Sequence, residues 1–260
     1  MRYQTLLVDR DDAFVTVIIN RPTQLNALSE LVLDELAELC GNLQRQPIRG
    51  VILTGAGDRA FVAGADIKRM AVMHPTQGTA FGRLGQHVTE LLEALPVPVI
   101  ACVDGVAFGG GCELAMAADF IYATEHARFG QPEVKLGLIP GFGGCVRLLR
   151  LVGPARAKEL IYSGRDIAAH EAKRIGLVNE VFADRAAMLA AARATLAEIA
   201  TRSPAAVALC KHVLVNLDGK STADQLALEA AAFTRAFNTE DKQEGVAAFV
   251  AKRPARFVGR

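Results

Sequence analysis

Apolar and polar residues alternate along the chain with two different periods. Phe14 to Ile19 is rich in β-branched residues and stops at Asn20-Arg21-Pro22, which marks a strand ended by proline. Leu28, Val32, Leu36, Leu39 and Leu43 then recur at helical spacing and predict an amphipathic helix. Val51-Ile52-Leu53-Thr54 predicts a short buried strand closed by Gly55-Ala56-Gly57. A helix is expected over Phe81 to Leu95, and a strand over Val97 to Val103. Strands that are apolar throughout and separated by helices form parallel βαβ units covered on both faces. Beyond Asp184 the strand pattern ends. Ser203-Pro204 reads as an N-cap followed by proline at the first helical position, and Thr222-Ala223-Asp224-Gln225 as a capping box ahead of Leu226 and Leu228. The expected organisation is an α/β body over residues 1–200 and an all-helical region over 201–260. For the latter, self-association and a simple packing lid fit the pattern equally.

Composition narrows the class. At 260 residues and 51% hydrophobic, the chain can bury a full core without a disulfide or metal staple. The 29 basic and 28 acidic residues nearly cancel, and no Lys/Arg stripe carries interleaved aromatics, so a nucleic-acid surface is not expected. No apolar run reaches the ~18–20 residues of a membrane span. Met1 to Thr5 carries no targeting pattern, and a cytoplasmic location is expected. The cysteines (Cys40, Cys102, Cys112, Cys145, Cys210) lack metal or redox spacing and read as small apolar core residues.

Gly55-Ala56-Gly57-Asp58-Arg59-Ala60 follows a strand and formally matches a dinucleotide fingerprint. That fingerprint needs a helix opening at the glycines and an acid about twenty positions on. Phe61-Val62-Ala63-Gly64 continues instead with β-branched and small residues, and Gln77 stands where the acid belongs, so nicotinamide binding is not expected. The five histidines are scattered and propose no metal site. Two glycine-rich turns carry more: Ala63-Gly64-Ala65-Asp66-Ile67-Lys68, and Gly109-Gly110-Gly111-Cys112-Glu113, which opens a helix expected over Glu113 to Ala118. Glycine at a helix start lets unpaired N–H groups face a ligand, which suits a developing oxyanion; a close turn packed on a neighbouring strand is the plainer alternative. Glu113 lies among Cys112, Leu114, Ala115 and Met116, where burying a carboxylate is costly without a partner or a purpose. Phe129-Gly130-Gln131-Pro132-Glu133 supplies a second carboxylate ahead of Gly137-Leu138-Ile139-Pro140-Gly141-Phe142-Gly143-Gly144. Two carboxylates in differing environments can act as acid and base around one water, or serve as ordinary helix-start and salt-bridge residues.

Taken in order, these strings resemble the crotonase superfamily, and within it the enoyl-CoA hydratases. The resemblance runs nearly end to end, through Asn20-Arg21-Pro22, Leu25-Asn26-Ala27-Leu28, both glycine turns, Gly130-Gln131-Pro132-Glu133, Ile139 to Gly144, Gly176-Leu177-Val178-Asn179 and Glu244 to Phe249. It implies an α/β fold, a spiral of ββα units, with an all-helical C-terminal region that builds homotrimers or homohexamers. It implies reversible hydration of a short-chain 2-enoyl-CoA thioester, with no separate cofactor, since coenzyme A enters as part of the substrate. By position, Ala65 and Gly110 match the amides of an oxyanion hole, and Glu113 and Glu133 the catalytic glutamates, Glu113 toward water and Glu133 toward C2. Ala63, Ala65, Asp66, Ile67 and Lys68 match the coenzyme A loop, Leu25 a further coenzyme A contact, and Gly141 a backbone donor near the acyl group. Phe233, Phe249 and Lys252 match C-terminal positions that reach acyl-CoA, in some members from a neighbouring subunit. Arg69 to Glu90, with Met70, Met73 and Phe81, is expected to wall the acyl group. Alternatives are a hydratase for a carboxylated enoyl-CoA such as 3-methylglutaconyl-CoA, with Lys135, Arg83 or Arg147 as the required cation, an isomerase, or a non-catalytic acyl-CoA or RNA scaffold.

Overall fold

Strands that are apolar on both faces need cover on both, and the chain supplies it by winding through two sheets. The computed structural model describes residues 3–260. β1 (Leu6–Asp11) and β2 (Phe14–Ile19) form an antiparallel hairpin, and α1 (Glu30–Leu43) follows, capped by Ser29. The next turn is β3 (Gly50–Gly55), β4 (Ala60–Val62), α2 (Ile67–Met70) and α3 (Pro75–Glu93). Then come β5 (Val99–Val103), β6 (Val106–Phe108) and α4 (Gly110–Met116), followed by β7 (Phe120–Thr124), β8 (Arg128–Gly130) and α5 (Gly144–Ser163), the last broken at Gly153-Pro154. β9 (Asp166–Ala168), α6 (Ala169–Arg174) and β10 (Glu180–Phe182) complete the α/β body. The remainder is helical: α7 (Arg185–Ala200), α8 (Pro204–Val215), α9 (Thr222–Phe237) and α10 (Glu240–Val250).

From β3 to β8, successive strands alternate between two sheets. One sheet has the order β1-β2-β3-β5-β7-β10, parallel from β2 onward; the other has β4-β6-β8-β9. Each turn thus lays one strand on either sheet and returns by a helix, the ββα spiral the resemblance implies. β3 shows why its sequence reads as continuously apolar. Val51 and Leu53 enter the main core, while Ile52 packs on the other face with Ile100, Met188 and Leu196, so α7 covers that side.

Several local expectations need correction. The helix expected from Phe81 begins at Pro75, where the Gln77 side chain accepts the His74 N–H at 2.8 Å. β5 begins at Val99 rather than Val97, because Pro98 has no N–H for the ladder. The helix expected from Glu113 starts at Gly110, so the glycines form its first turn. Ser221, not Thr222, caps α9 by accepting from the Asp224 N–H. Cys145 and Cys210 are exposed, whereas Cys40, Cys102 and Cys112 are core residues. The strand β4, not a helix, follows Gly55-Ala56-Gly57, as the rejection of a dinucleotide site requires.

Candidate active site

The site forms where the C-terminal ends of the spiral strands meet α3, α4 and the start of α5. A cavity of about 300 Å³ is lined by Ala65, Gly110, Glu113, Glu133, Gly141 and Phe142, among others.

Two amides open into it. The Leu28 N–H donates to the Gly64 carbonyl at 2.8 Å, and the Asp66 N–H donates to the Leu28 carbonyl at 2.8 Å. This parallel bridge fixes Ala65, and since alternate residues of an extended chain turn their amides to opposite sides, the Ala65 N–H faces away from Leu28. It has no acceptor within the protein among the described residues. Gly110 is the first residue of α4 and its N–H has no intrahelical acceptor. The glycines are required there: Gly109 sits at φ +51°, and a Cβ on Gly111 would run into the carbonyl of Val62.

Glu113 is 1% exposed. Its Oε1 accepts two backbone N–H groups, from Phe142 at 2.8 Å and from Gly144 at 2.6 Å. Burial pushes its carboxyl up to about 7, reinforced by the Glu133 charge and opposed by the Gly144 and Phe142 amides and by Arg147. Glu133 opens the 3-10 turn Glu133–Leu136 and is also raised, again by burial. The buried Gln131 amide, oriented by its surroundings, donates to both Glu133 oxygens at 3.1 Å. Beside the Glu113 carboxylate lies Gly144, where a Cβ would crowd Glu113 and Gln131 alike.

The far wall is aromatic. Phe142 is 5% exposed, and Phe81 meets it edge-on with centroids 5.4 Å apart. The Phe142 ring occupies the place a Cβ on Gly85 would take, and a Cβ on Gly110 would lie 3.0 Å from it.

Of the residues expected at the site, Ala63, Ala65, Ile67, Gly110, Glu113, Glu133 and Gly141 line this cavity. Leu25, at φ 52°, adjoins it by accepting the Ala63 N–H. Asp66 precedes α2 and pairs with Arg21 at 3.2 Å, and Lys68 is exposed on α2. Met70 and Phe81 line the wall, but Met73 packs against the core. Phe233 and Phe249 are exposed on α9 and α10, and neither they nor Lys252 reaches the cavity within this chain. No candidate cation for a substrate carboxylate lines it either. Arg147 is committed to Glu93, while Arg83 and Lys135 point to solvent. Sequence reasoning missed Gln131, Gly144 and the Phe142 side chain.

A spiral of ββα turns carrying two free amides, one buried carboxylate and one half-buried carboxylate around one pocket defines a protein suited to stabilising an acyl oxyanion and moving protons beside it. Residues 9–260 match the family described as enoyl-CoA hydratase/isomerase, and the chain belongs to that family. It is 44% identical over 255 residues to the short-chain-enoyl-CoA hydratase of Clostridium acetobutylicum, covering 97% of each chain. It is 42% identical over 262 residues to the crotonyl-CoA hydratase of Syntrophomonas wolfei, covering 100% of both. The crystal structure of an enoyl-CoA hydratase from Bacillus anthracis superposes with a TM-score of 0.94 at 40% identity, covering 99% of this chain and 100% of that one.

Proposed function

We propose that the protein reversibly adds water across the 2,3 double bond of a short-chain 2-enoyl-CoA thioester. The observation that carries this reading is the convergence of the Ala65 and Gly110 amides with Glu113 and Glu133 on one cavity. Negative charge develops on the thioester oxygen as water attacks C3, and two fixed N–H donors stabilise it where it appears. Glu113 takes a proton from the attacking water while Glu133 delivers one to C2. The pair therefore starts and ends with one proton, and desolvation raises both carboxyls above their ordinary value, which favours keeping it. Coenzyme A enters with the substrate, along the loop Ala63 to Lys68.

The aromatic wall supports a short acyl group, since the Phe142 ring lies against Gly110 and meets Phe81 edge-on, narrowing the cavity beside the Gly110 amide. Retention of both carboxylates supports hydration over isomerisation. Among the described residues only Glu113 and Glu133 are charged lining residues, which leaves a carboxylated acyl group no counter-ion among them. The exposed apolar side chains Leu226, Phe233 and Phe237 on α9, and Phe249 and Val250 on α10, support an assembly of copies in which one protomer supplies Phe233, Phe249 and Lys252 to another's coenzyme A. No helix among the described residues is long and apolar enough to cross a membrane.

The test is loss of enoyl-thioester absorbance over a panel of chain lengths, with 3-methylglutaconyl-CoA included. We expect kcat/KM to be greatest for crotonyl-CoA and to fall about tenfold or more by ten carbons, with Phe142→Ala narrowing that ratio. No hydration of any member overturns the reading; preference for 3-methylglutaconyl-CoA replaces the substrate.

A further inference from the structure

Arg147 is not required by the chemistry above, yet it is placed with unusual care. Its guanidinium is 10% exposed and grips Glu93 of α3 through Nε at 2.8 Å and Nη2 at 2.6 Å. Its remaining arm, Nη1, donates to the Phe142 carbonyl at 3.0 Å, which also accepts the Thr89 hydroxyl at 3.2 Å. That carbonyl lies between the two amides, of Phe142 and Gly144, that hold Glu113. Gly143, at φ +105°, wraps the turn so closely around the guanidinium that a Cβ there would strike Nη1. The turn is thus pinned from α3 and α5 on one side and binds the Glu113 carboxylate on the other.

We propose that Arg147, oriented by Glu93, is a positioning residue for Glu113: it fixes the turn that aims two amides at Oε1. The guanidinium charge behind that turn also favours the ionised carboxylate. This rests on the hydratase reading for its catalytic consequence, but not for its effect on titration. Both amides converge on Oε1, which leaves Oε2 to meet the attacking water. The groups facing Glu113 are Glu133 from the 3-10 turn, Cys112 on its own helix, Cys145 and Arg147 from α5, and, behind the guanidinium, Glu93 from α3. Arg147 is the cation of this set, and Glu93 partly offsets it.

Opposite-sign substitutions separate this role from mere packing. Arg147→Gln removes the cation, so Glu113 holds its proton more tightly. Glu93→Gln removes the offsetting anion while keeping an acceptor for the guanidinium, so Glu113 releases its proton more easily. We would titrate the Glu113 carboxyl carbon by 13C NMR in protein labelled at glutamate, with Glu113→Gln assigning the resonance. Its midpoint should rise in Arg147→Gln and fall in Glu93→Gln, each by roughly half a pH unit or more. In turnover, the acid limb of the kcat–pH profile should move the same way, with kcat down about tenfold and KM within about twofold in Arg147→Gln, reflecting loss of an interaction specific to the transition state. Arg147→Lys should bring the midpoint back toward wild type while kcat stays low, because an ammonium cannot serve Glu93 and the Phe142 carbonyl in the same fork geometry. Folded variants whose midpoints do not move overturn the proposal. If Arg147→Gln does not fold, the downward shift in Glu93→Gln decides alone. Shifted midpoints in a protein that hydrates no enoyl-CoA would retain this inference and discard the functional reading.

Discussion

Helices α4 and α9 each carry a carboxylate in their first turn, and the two could hardly be treated more differently. In α4 every residue from Gly110 to Met116 is buried, Glu113 included. In α9 only Ala232 is buried, and Asp224 sits in solvent, with its own N–H and the Ser221 hydroxyl closing a cap. An acid at a helix start is an ordinary stabilising feature when solvated, by capping and by the dipole. Buried, the same residue type needs dedicated donors, and Glu113 receives them from Phe142 and Gly144. The reverse holds for apolar groups. Phe61 and Phe129 of the spiral are 0% exposed, whereas Phe249 on α10 is 85% exposed. The spiral buries its polar chemistry, while the C-terminal helices display their apolar surface. The first arrangement suits catalysis and the second suits association.

The largest effect that tests this contrast comes from the two cavity acids. Glu113→Gln and Glu133→Gln should each lower hydratase kcat by at least about a hundredfold, since each removes a proton-transfer group. Asp224→Asn, the solvated counterpart, should leave kcat within about twofold. Near-wild-type turnover in both glutamate variants would erase the functional difference between the two helices.

This division was only partly visible in the sequence. Glu113 stood out because Leu114, Ala115 and Met116 flank it, and the run Gly109-Gly110-Gly111 because glycines open a helix after a strand, whereas Ala65 and Gly110 as individual amides followed only from the resemblance. Ser221 was mistaken by one residue, since Ser221-Thr222 offers two adjacent hydroxyls and only geometry chooses between them. The strands β4, β6, β8 and β9 have three residues each, too few to display an alternating period. Arg147 and Glu93 are 54 residues apart, and Glu113 is held by backbone groups. Main-chain donors leave no residue-type signature, and a distant ion pair leaves no local one. Both became legible only when the spiral brought α3, α4 and α5 together.

An intermediate effect belongs to the C-terminal face. Leu226, Phe233 and Phe237 share one side of α9, and the Phe233 and Phe237 rings lie 5.5 Å apart. Phe233→Asp with Phe249→Asp should reduce the sedimenting mass and raise KM for crotonyl-CoA severalfold. The circular dichroism of the spiral should stay unchanged, because neither ring is part of the chain's own core. Unaltered mass and KM would show that these side chains serve as simple surface.

The remaining effect leaves chemistry aside and concerns stability, and it runs opposite to the effect on turnover. Burial raises the Glu113 carboxyl from 4.5 to about 7 in the folded protein, so the native state holds this proton more tightly than the unfolded chain does. Stability from neutral Glu113 is therefore fully present below about pH 4.5 and is lost as pH rises through about 7. Glutamine at this position cannot ionise, yet its carbonyl oxygen can still accept the Phe142 and Gly144 amides. Glu113→Gln should then match wild type near pH 4.5 and exceed it at about pH 8, by at most about 3 kcal/mol. For a chain of this size that is a Tm difference of several degrees. Thermal unfolding of the two proteins across that range measures it directly. A glutamine variant that gains nothing on going from acid to alkaline pH would mean that Glu113 is not strained by its burial, and that α4 carries its acid as cheaply as α9 carries Asp224.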